Sequence, residues 1–326
     1  MIKFRELLPL YAVVFLGFGG YALTITLFIP MLMSTTFPLL PSGTSVASRA
    51  SLSGFLLAMY PLGQFFGSPV IGTLSDHFGR KKVLLLSLVA CLFGFIGMGL
   101  SIHFHQLLLL FISSFITGLF ESNMAISQSV IADRVDDTFQ KTRLIGYAYS
   151  SCSLGWVVGA SLGGIGGTAL GYSAPFWITA VGVLCLMSWV SYSFKEHALP
   201  NKKTPLHIIK SLTAITSIFN NKHLYKIYII NFLIFFSVQG LSRVVPLYVV
   251  DEWKPSLHIY ALLIAFISFL CFISNLTILS TLAKKFAPKI LLTGLLLIGG
   301  ALIIFIVIPP SFNWIWLTFG LAVIPT

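Results

Sequence analysis

With 326 residues, 57% of them hydrophobic and 9% charged, the chain falls far below the ~25% charged residues usual in soluble domains, which excludes the soluble classes. Its net charge of +11 is spread over short polar segments between apolar runs and forms no single patch, so no nucleic-acid partner is expected. The four cysteines, Cys91, Cys152, Cys185 and Cys271, each lie inside an apolar run, far from one another in sequence; neither a disulfide framework nor a cysteine metal site follows from such spacing.

An apolar run of about 20 residues crosses a bilayer as a helix, and the chain offers such runs in succession. The first, Pro9 to Leu32, follows Lys3 and Arg5. It is too long for a signal-peptide core and has no small-residue cleavage site behind it, so an uncleaved span entering from the cytoplasm is expected. Gly17, Gly20 and Thr24 share one face of it, which suits close packing or the lining of a cavity. Met33 to Arg49, rich in Ser, Thr and Pro, reads as an external loop. The second span, Leu52 to Gly72, carries Tyr60, Gln64 and Gly67 on one face, and the third runs from Val83 to Ile102. Between them lies a polar hinge, Gly72-Thr73-Leu74-Ser75-Asp76-His77-Phe78-Gly79-Arg80-Lys81-Lys82, whose three adjacent cations mark a cytoplasmic loop by the positive-inside rule.

The His103-Phe104-His105 segment after the third span offers two histidines and no third ligand, so no metal is expected there. The fourth span is predicted as one helix from Gln106 to Ile131. It holds Glu121, the only acid well inside an apolar run, on a stripe with Ser114, Gly118, Ala125 and Gln128 that should face the bundle interior. Asp133, Arg134, Asp136, Asp137, Lys141 and Arg143 close the next internal loop. The fifth span starts near Leu144, and its Gly155, Gly159, Gly163 and Gly167 recur every four residues, stripping one helix face of side chains so that another backbone can approach. The sixth span covers Ala174 to Phe194.

Lys195 to Lys222 is the longest polar stretch and reads as a linker. Beyond it, the seventh span, Leu224 to Val250, sets Asn231, Phe235, Gln239 and Ser242 on one face. Arg243 lies beside them, placed either to snorkel to the surface or to line a substrate path. The eighth, Leu257 to Leu282, stacks Ser268 and Asn275. At its exit Leu282, Phe286 and Lys289 align with Leu74, Phe78 and Lys81 at a constant offset of 208, an internal repeat of the kind expected from two related halves. A ninth span runs from Ile290 to Ile308. Asn313 to Thr326 supplies 14 residues, short of the ~20 needed to cross, so the chain is expected to end within a tenth span. On this assignment 17 of the 20 cations are internal, with Arg49, Arg243 and Lys254 outside.

Gly72, Leu74, Asp76, Gly79, Arg80 and Lys81 match, in order and spacing, the loop between helices 2 and 3 of the major facilitator superfamily of transporters. Asp133 resembles the acid that pairs in that family with the arginine of this loop, here Arg80. Gly146, Gly155, Gly159, Gly163 and Gly164 resemble the fifth-helix motif of its antiporter branches, with Ala160 where the family has proline. A generic small-residue contact accounts for the four-residue ladder alone. Ser114 stands where the antiporter branch often carries arginine, and the first span lacks the acid of tetracycline-type exporters.

The resemblance implies an all-α, two-half fold: residues 1–194 as the first six-helix half, 195–223 as a basic linker, and 224–326 as an incomplete second half. It implies a twelve-helix design and alternating access, most simply proton-coupled efflux of a small molecule; proton-coupled uptake of a metabolite, or a non-transporting remnant, stands as the alternative. Burial disfavours the charged form of a carboxyl, which makes Glu121 the candidate for proton exchange. Thr24, Gln64, Gln128, Asn231, Gln239, Arg243 and Asn275 are candidates for the substrate cavity. No cofactor and no metal is expected, the proton gradient serving as energy source, and the protein is expected to be a monomer in the bacterial inner membrane with its N-terminus cytoplasmic. A membrane-embedded enzyme would need paired acids, a histidine set or a nucleophile with its base inside the spans, and a lone Glu121 is none of these.

Overall fold

A computed structural model describes residues 4–41, 43–121, 123–194 and 222–273, with the isolated Gly294. The predicted linker, the repeat around Leu282 to Lys289, and the ninth and tenth spans lie outside the described residues. Within them the chain is helical, with no strand: α1 Phe4–Met33, α2 Val46–Phe78, α3 Arg80–His103, α4 Leu107–Phe120, α5 Asn123–Arg134 and α6 Thr138–Ser161. The last continues through a π-helical turn, Leu162–Gly166, into α7 Gly167–Leu170, and is followed by α8 Ala174–Ser193, α9 Lys222–Trp253 and α10 Leu257–Ile273.

Among the described residues, six stretches are long and apolar enough to cross a membrane: Glu6–Met33, Val46–Phe78, Arg80–His103, Leu107–Arg134, Gln140–Leu170 and Ala174–Ser193. They correspond one for one to the first six predicted spans. Exposed Phe55, Leu62, Phe65 and Phe66 on α2, Phe93 on α3, and Val181 and Leu184 on α8 form the apolar outer surface that a helix bundle turns to lipid.

Lipid tails are as apolar as leucine, so membrane helices associate through close packing and not through hydrophobic burial. Two glycine seams do this. A side chain at Gly155 would run into the Phe15 carbonyl of α1, and one at Gly159 into the Gly19 carbonyl, so α6 lies backbone to backbone on α1. In the same way Gly63 and Gly67 of α2 meet the α4 backbone at Phe115 and Leu119, while Gly118 of α4 meets the Tyr60 carbonyl. α1 is thereby the most buried of the spans, enclosed by α2, α6 and α8.

Three boundaries differ from the sequence reading. α2 begins at Val46, because the Ser45 hydroxyl accepts from the Ser48 amide at 3.2 Å and caps the helix in the manner that satisfies a free N-terminal donor. The hinge contracts to a single residue: α2 runs through Asp76 to Phe78 and α3 starts at Arg80, with only Gly79 between them at φ 99°, ψ 144°. α9 already includes Lys222 and His223, which the sequence reading assigned to the linker.

Candidate functional site

The fourth span is not one helix. α4 ends at Phe120 and α5 begins at Asn123, with Glu121 at the break in a non-helical conformation, φ −85° and ψ 85°. Glu121-Ser122-Asn123 places two helix-starting residue types directly after the acid, a signal that the apolar periodicity hides. Glu121 is the fifteenth of the 28 residues of Leu107–Arg134, near the middle of the span, and is 2% exposed.

Three elements converge on its carboxyl. From α2, Gln64 Nε2 donates to Glu121 Oε2 at 3.0 Å and to the Glu121 main-chain carbonyl at 3.2 Å; the Tyr60 hydroxyl faces the same carboxyl without completing hydrogen-bond geometry. From α5, Asn123 Nδ2 lies 3.5 Å from Glu121 Oε1 and 3.5 Å from the Val13 carbonyl. From α1, Gly17 leaves the room: a side chain there would occupy the place of Glu121 Oε1 and the Asn123 amide. Among the described residues no cation pairs with Glu121. Its charge, when present, is met by amide dipoles, and such charge-assisted bonds are about twice as strong as neutral ones.

The predicted stripe holds only up to the break. Ser114 and Gly118 are buried, whereas Ala125 is exposed, since α5 restarts in a new register and buries Asn123, Ile126, Ser127 and Val130 instead. Gln128 forms a separate pair, its Nε2 donating to the Tyr149 hydroxyl of α6 at 3.3 Å. Thr24 is buried, and its hydroxyl donates to the Tyr21 carbonyl one turn back at 2.7 Å. Asn231, Gln239 and Arg243 belong to α9, but their side chains, like Asn275, lie outside the described residues.

The second predicted group sits at one end of the bundle. Arg80 Nη2 contacts Asp76 at 2.6 Å and Asp133 at 3.1 Å, so the Arg80–Asp133 pair implied by the resemblance is present, and Arg80 Nη1 donates to the Ser75 hydroxyl at 2.7 Å. Lys81 Nζ donates to the Ser191 carbonyl at the end of α8 at 2.6 Å. Gly79 adopts a positive φ of 99°. Gly72 lies within α2 with open space where a side chain would be, and so does Gly146 in α6; neither position is held by packing. The other glycines of the fifth-span motif are: Gly163 abuts Leu23 and Thr26 of α1, and Gly164 abuts Ala261 of α10.

The sequence reading missed Asn123, whose signal is an amide two residues from the buried acid, and Arg49. Placed outside by the cation count, Arg49 is in fact buried, 2% exposed. It donates to the carbonyls of Leu32 at 3.0 Å, Ser34 at 2.7 Å, Pro41 at 3.3 Å and Thr44 at 3.3 Å. It thus satisfies the orphan carbonyls at the end of α1 and folds the 34–44 segment over them.

The sequence model of the Major Facilitator Superfamily matches residues 10–325. Among relatives, the chain is 30% identical over 227 residues to the class B tetracycline resistance protein of Escherichia coli, covering 68% of this chain and 55% of that one. It is 27% identical over 284 residues to multidrug resistance protein 2 of Bacillus subtilis, covering 82% and 67%. The chain spans about half the length of the tetracycline resistance proteins it matches. Solved structures of similar fold include the human organic anion transporter MFSD10, with TM-score 0.73 at 16% identity over 98% of this chain and 83% of that one. The xylose transporter XylE from E. coli gives TM-score 0.71 at 16% identity over 99% and 84%. A family match over nearly the whole chain, on a bundle of glycine-packed membrane spans with the Arg80 network at one end, shows that this chain is a multi-pass membrane protein belonging to the Major Facilitator Superfamily.

Proposed function

We propose that the protein is a secondary transporter that exports a small molecule in exchange for protons by alternating access, and that it catalyses no covalent conversion. The observation that carries this reading is Glu121, a carboxyl buried at mid-span where α1, α2 and the α4–α5 break meet. A buried ionisable group in a membrane span is costly unless it is used, and one that exchanges a proton against substrate needs to be reached by both. The names of the relatives, tetracycline and multidrug resistance proteins, support export over uptake.

The Asp76–Arg80–Asp133 network serves in this reading as a latch between states. Asp76 is 61% and Asp133 42% exposed, and exposed pairs are worth about 0.2–1 kcal/mol each, so the latch can open and re-form without a large barrier. Lys81 and Lys82 support, by the positive-inside rule, a cytoplasmic position for this end and for the N-terminus. The protein acts as a monomer in the bacterial inner membrane, its two halves joined by residues 195–223 and rocking about the site.

The test uses everted membrane vesicles containing the protein, with tetracycline as the first probe and a set of amphipathic drugs after it. An imposed pH gradient, acid inside, should drive drug accumulation. Glu121→Gln keeps size and hydrogen bonding but cannot ionise, and it should reduce the gradient-driven flux at least tenfold while drug binding persists. Undiminished flux in Glu121→Gln overturns the role of the carboxyl.

A further inference from the structure

The two amides that meet the Glu121 carboxyl are not equivalent. Gln64 Nε2 touches both Oε2 and the main-chain carbonyl of Glu121, so one nitrogen ties α2 to the charge and to the backbone at the helix break. Asn123 reaches Oε1 and the Val13 carbonyl only at 3.5 Å, while its Oδ1 is buried with no hydrogen-bond partner. A buried acceptor left unused costs about 1–3 kcal/mol, which asks for a state in which it is used.

A carboxylate only accepts hydrogen bonds, whereas a carboxylic acid has one O–H that must donate. In the observed arrangement both carboxyl oxygens face N–H donors, which suits the ionised form, and a hydrogen placed on Oε1 would confront the Asn123 Nδ2 hydrogens. Turning the Asn123 amide by half a revolution replaces Nδ2 with Oδ1 and gives that hydrogen an acceptor. The turn costs Asn123 only its 3.5 Å contact with the Val13 carbonyl, whereas the same turn in Gln64 would abandon a 3.2 Å bond to the Glu121 main-chain carbonyl. We propose that Gln64 and Asn123 are positioning residues of the Glu121 proton site, Gln64 holding the ionised carboxylate and Asn123 turning its amide to accept the hydrogen of the neutral acid.

This rests on the reading of Glu121 as the proton-exchanging group. The proton arrives from water, bonds to Oε1 and leaves to water; no other bond is made or broken. Among the described residues, the titratable groups that interact electrostatically with Glu121 are Tyr60 on α2, Cys91 on α3 and Cys152 on α6, none of them a cation or a second carboxyl, and α1 presents Gly17. When the acid is neutral, the Gln64 bond falls from charge-assisted to ordinary strength. The proton thereby loosens α2 from the break in α4–α5, and Gln64 is the link between charge and helix position.

The test is an infrared titration of the reconstituted protein, following the carboxylic C=O band that Glu121→Gln removes. Gln64→Leu, with Gln64→Met as a second version closer in shape, should move the midpoint of that band to higher pH by about one to two units, because the ionised form loses its charge-assisted donor. Asn123→Leu should move it to lower pH by about half a unit to one unit, because the neutral form loses an acceptor at full bonding distance while the ionised form loses only a contact of 3.5 Å. Asn123→Gln, which keeps both amide atoms, should stay closer to the wild-type midpoint than Asn123→Leu does. Purely structural roles would lower the amount of protein without moving the midpoints in opposite directions. Midpoints unchanged, or moved the same way, in the Gln64 and Asn123 variants overturn the assignment while leaving Glu121 as the proton carrier. A wild-type protein with no band that Glu121→Gln removes overturns the proton reading, and the assignment with it.

Discussion

Arg49 shows how much a single side chain can organise with no ionic partner among the described residues. Its guanidinium meets four main-chain oxygens, from Leu32, Ser34, Pro41 and Thr44, and its cation lies at the C-terminal end of α1, where the helix dipole favours positive charge. Around it, Leu39 and Leu40 are buried, and Phe37 packs against His105 and Tyr172 with ring centroids 5.4 and 4.9 Å apart. Removing the guanidinium leaves buried carbonyls unpaired, at about 1–3 kcal/mol for each group fully desolvated. Arg49→Met, similar in length and apolar, should therefore lower the midpoint of thermal unfolding in detergent and expose the 34–44 segment to protease, with Arg49→Lys intermediate because an ammonium cannot span all four carbonyls. Protease resistance equal to wild type in Arg49→Met would refute this. The cation count assigned Arg49 a side of the membrane and no environment, because counting charges says nothing of whether a short loop folds back over them.

At the scale of elements, the turn between α2 and α3 separates two glycines that the motif treats alike. Gly79 adopts φ 99°, ψ 144°, a region essentially closed to residues with a side chain, where strain amounts to about 1–3 kcal/mol. Gly72 lies in an ordinary helical stretch with nothing within 4 Å of a built side chain. Gly79→Ala should therefore disturb the angle between α2 and α3, pull Arg80 away from Asp133 and cut transport severalfold at normal membrane levels. Gly72→Ala should be close to neutral for folding, alanine being the better helix former by about 1 kcal/mol. Measuring both in one vesicle assay separates the claims: equal loss in the two would mean that the motif glycines act by a means other than backbone conformation. The same contrast runs through the fifth span, where Gly155 and Gly159 have the α1 backbone against them and Gly146 has open space.

For the whole molecule, the described contact between the first six spans and the later helices includes a seam near the end of α6, where Gly164 abuts Ala261 and Gly167 abuts Leu257 of α10. In the π turn at Leu162–Gly166 Gly163 still abuts α1 while Gly164 abuts α10, and Gly167 beyond it meets Leu27 of α1 as well as Leu257 of α10. Filling the seam should therefore bias the molecule against this arrangement. In the background Gly164→Val, a cysteine introduced as Ala261→Cys should react severalfold faster with a membrane-impermeant maleimide added on the α7 side than it does with Gly164 retained. An unchanged rate would mean that the seam does not close that end of the bundle in the membrane.

The order and approximate limits of the first six spans and the Arg80–Asp133 pair were legible in the amino-acid sequence, where Glu121 also stood out as an acid inside an apolar run, because these follow from hydropathy, charge placement and short motifs that act locally. The tertiary structure decided what depends on a neighbour. It broke the fourth span at Glu121 and so turned Asn123, not Ala125, toward the carboxyl. It brought Gln64 from α2 and Gly17 from α1 to the same point, buried Arg49 under its own loop, and distinguished the glycines that meet another backbone from those that meet none. Helical periodicity is a property of one segment and assumes that the helix continues. The register after a break, and the atoms that fill the space beside a glycine, are set by the packing of helices distant in sequence.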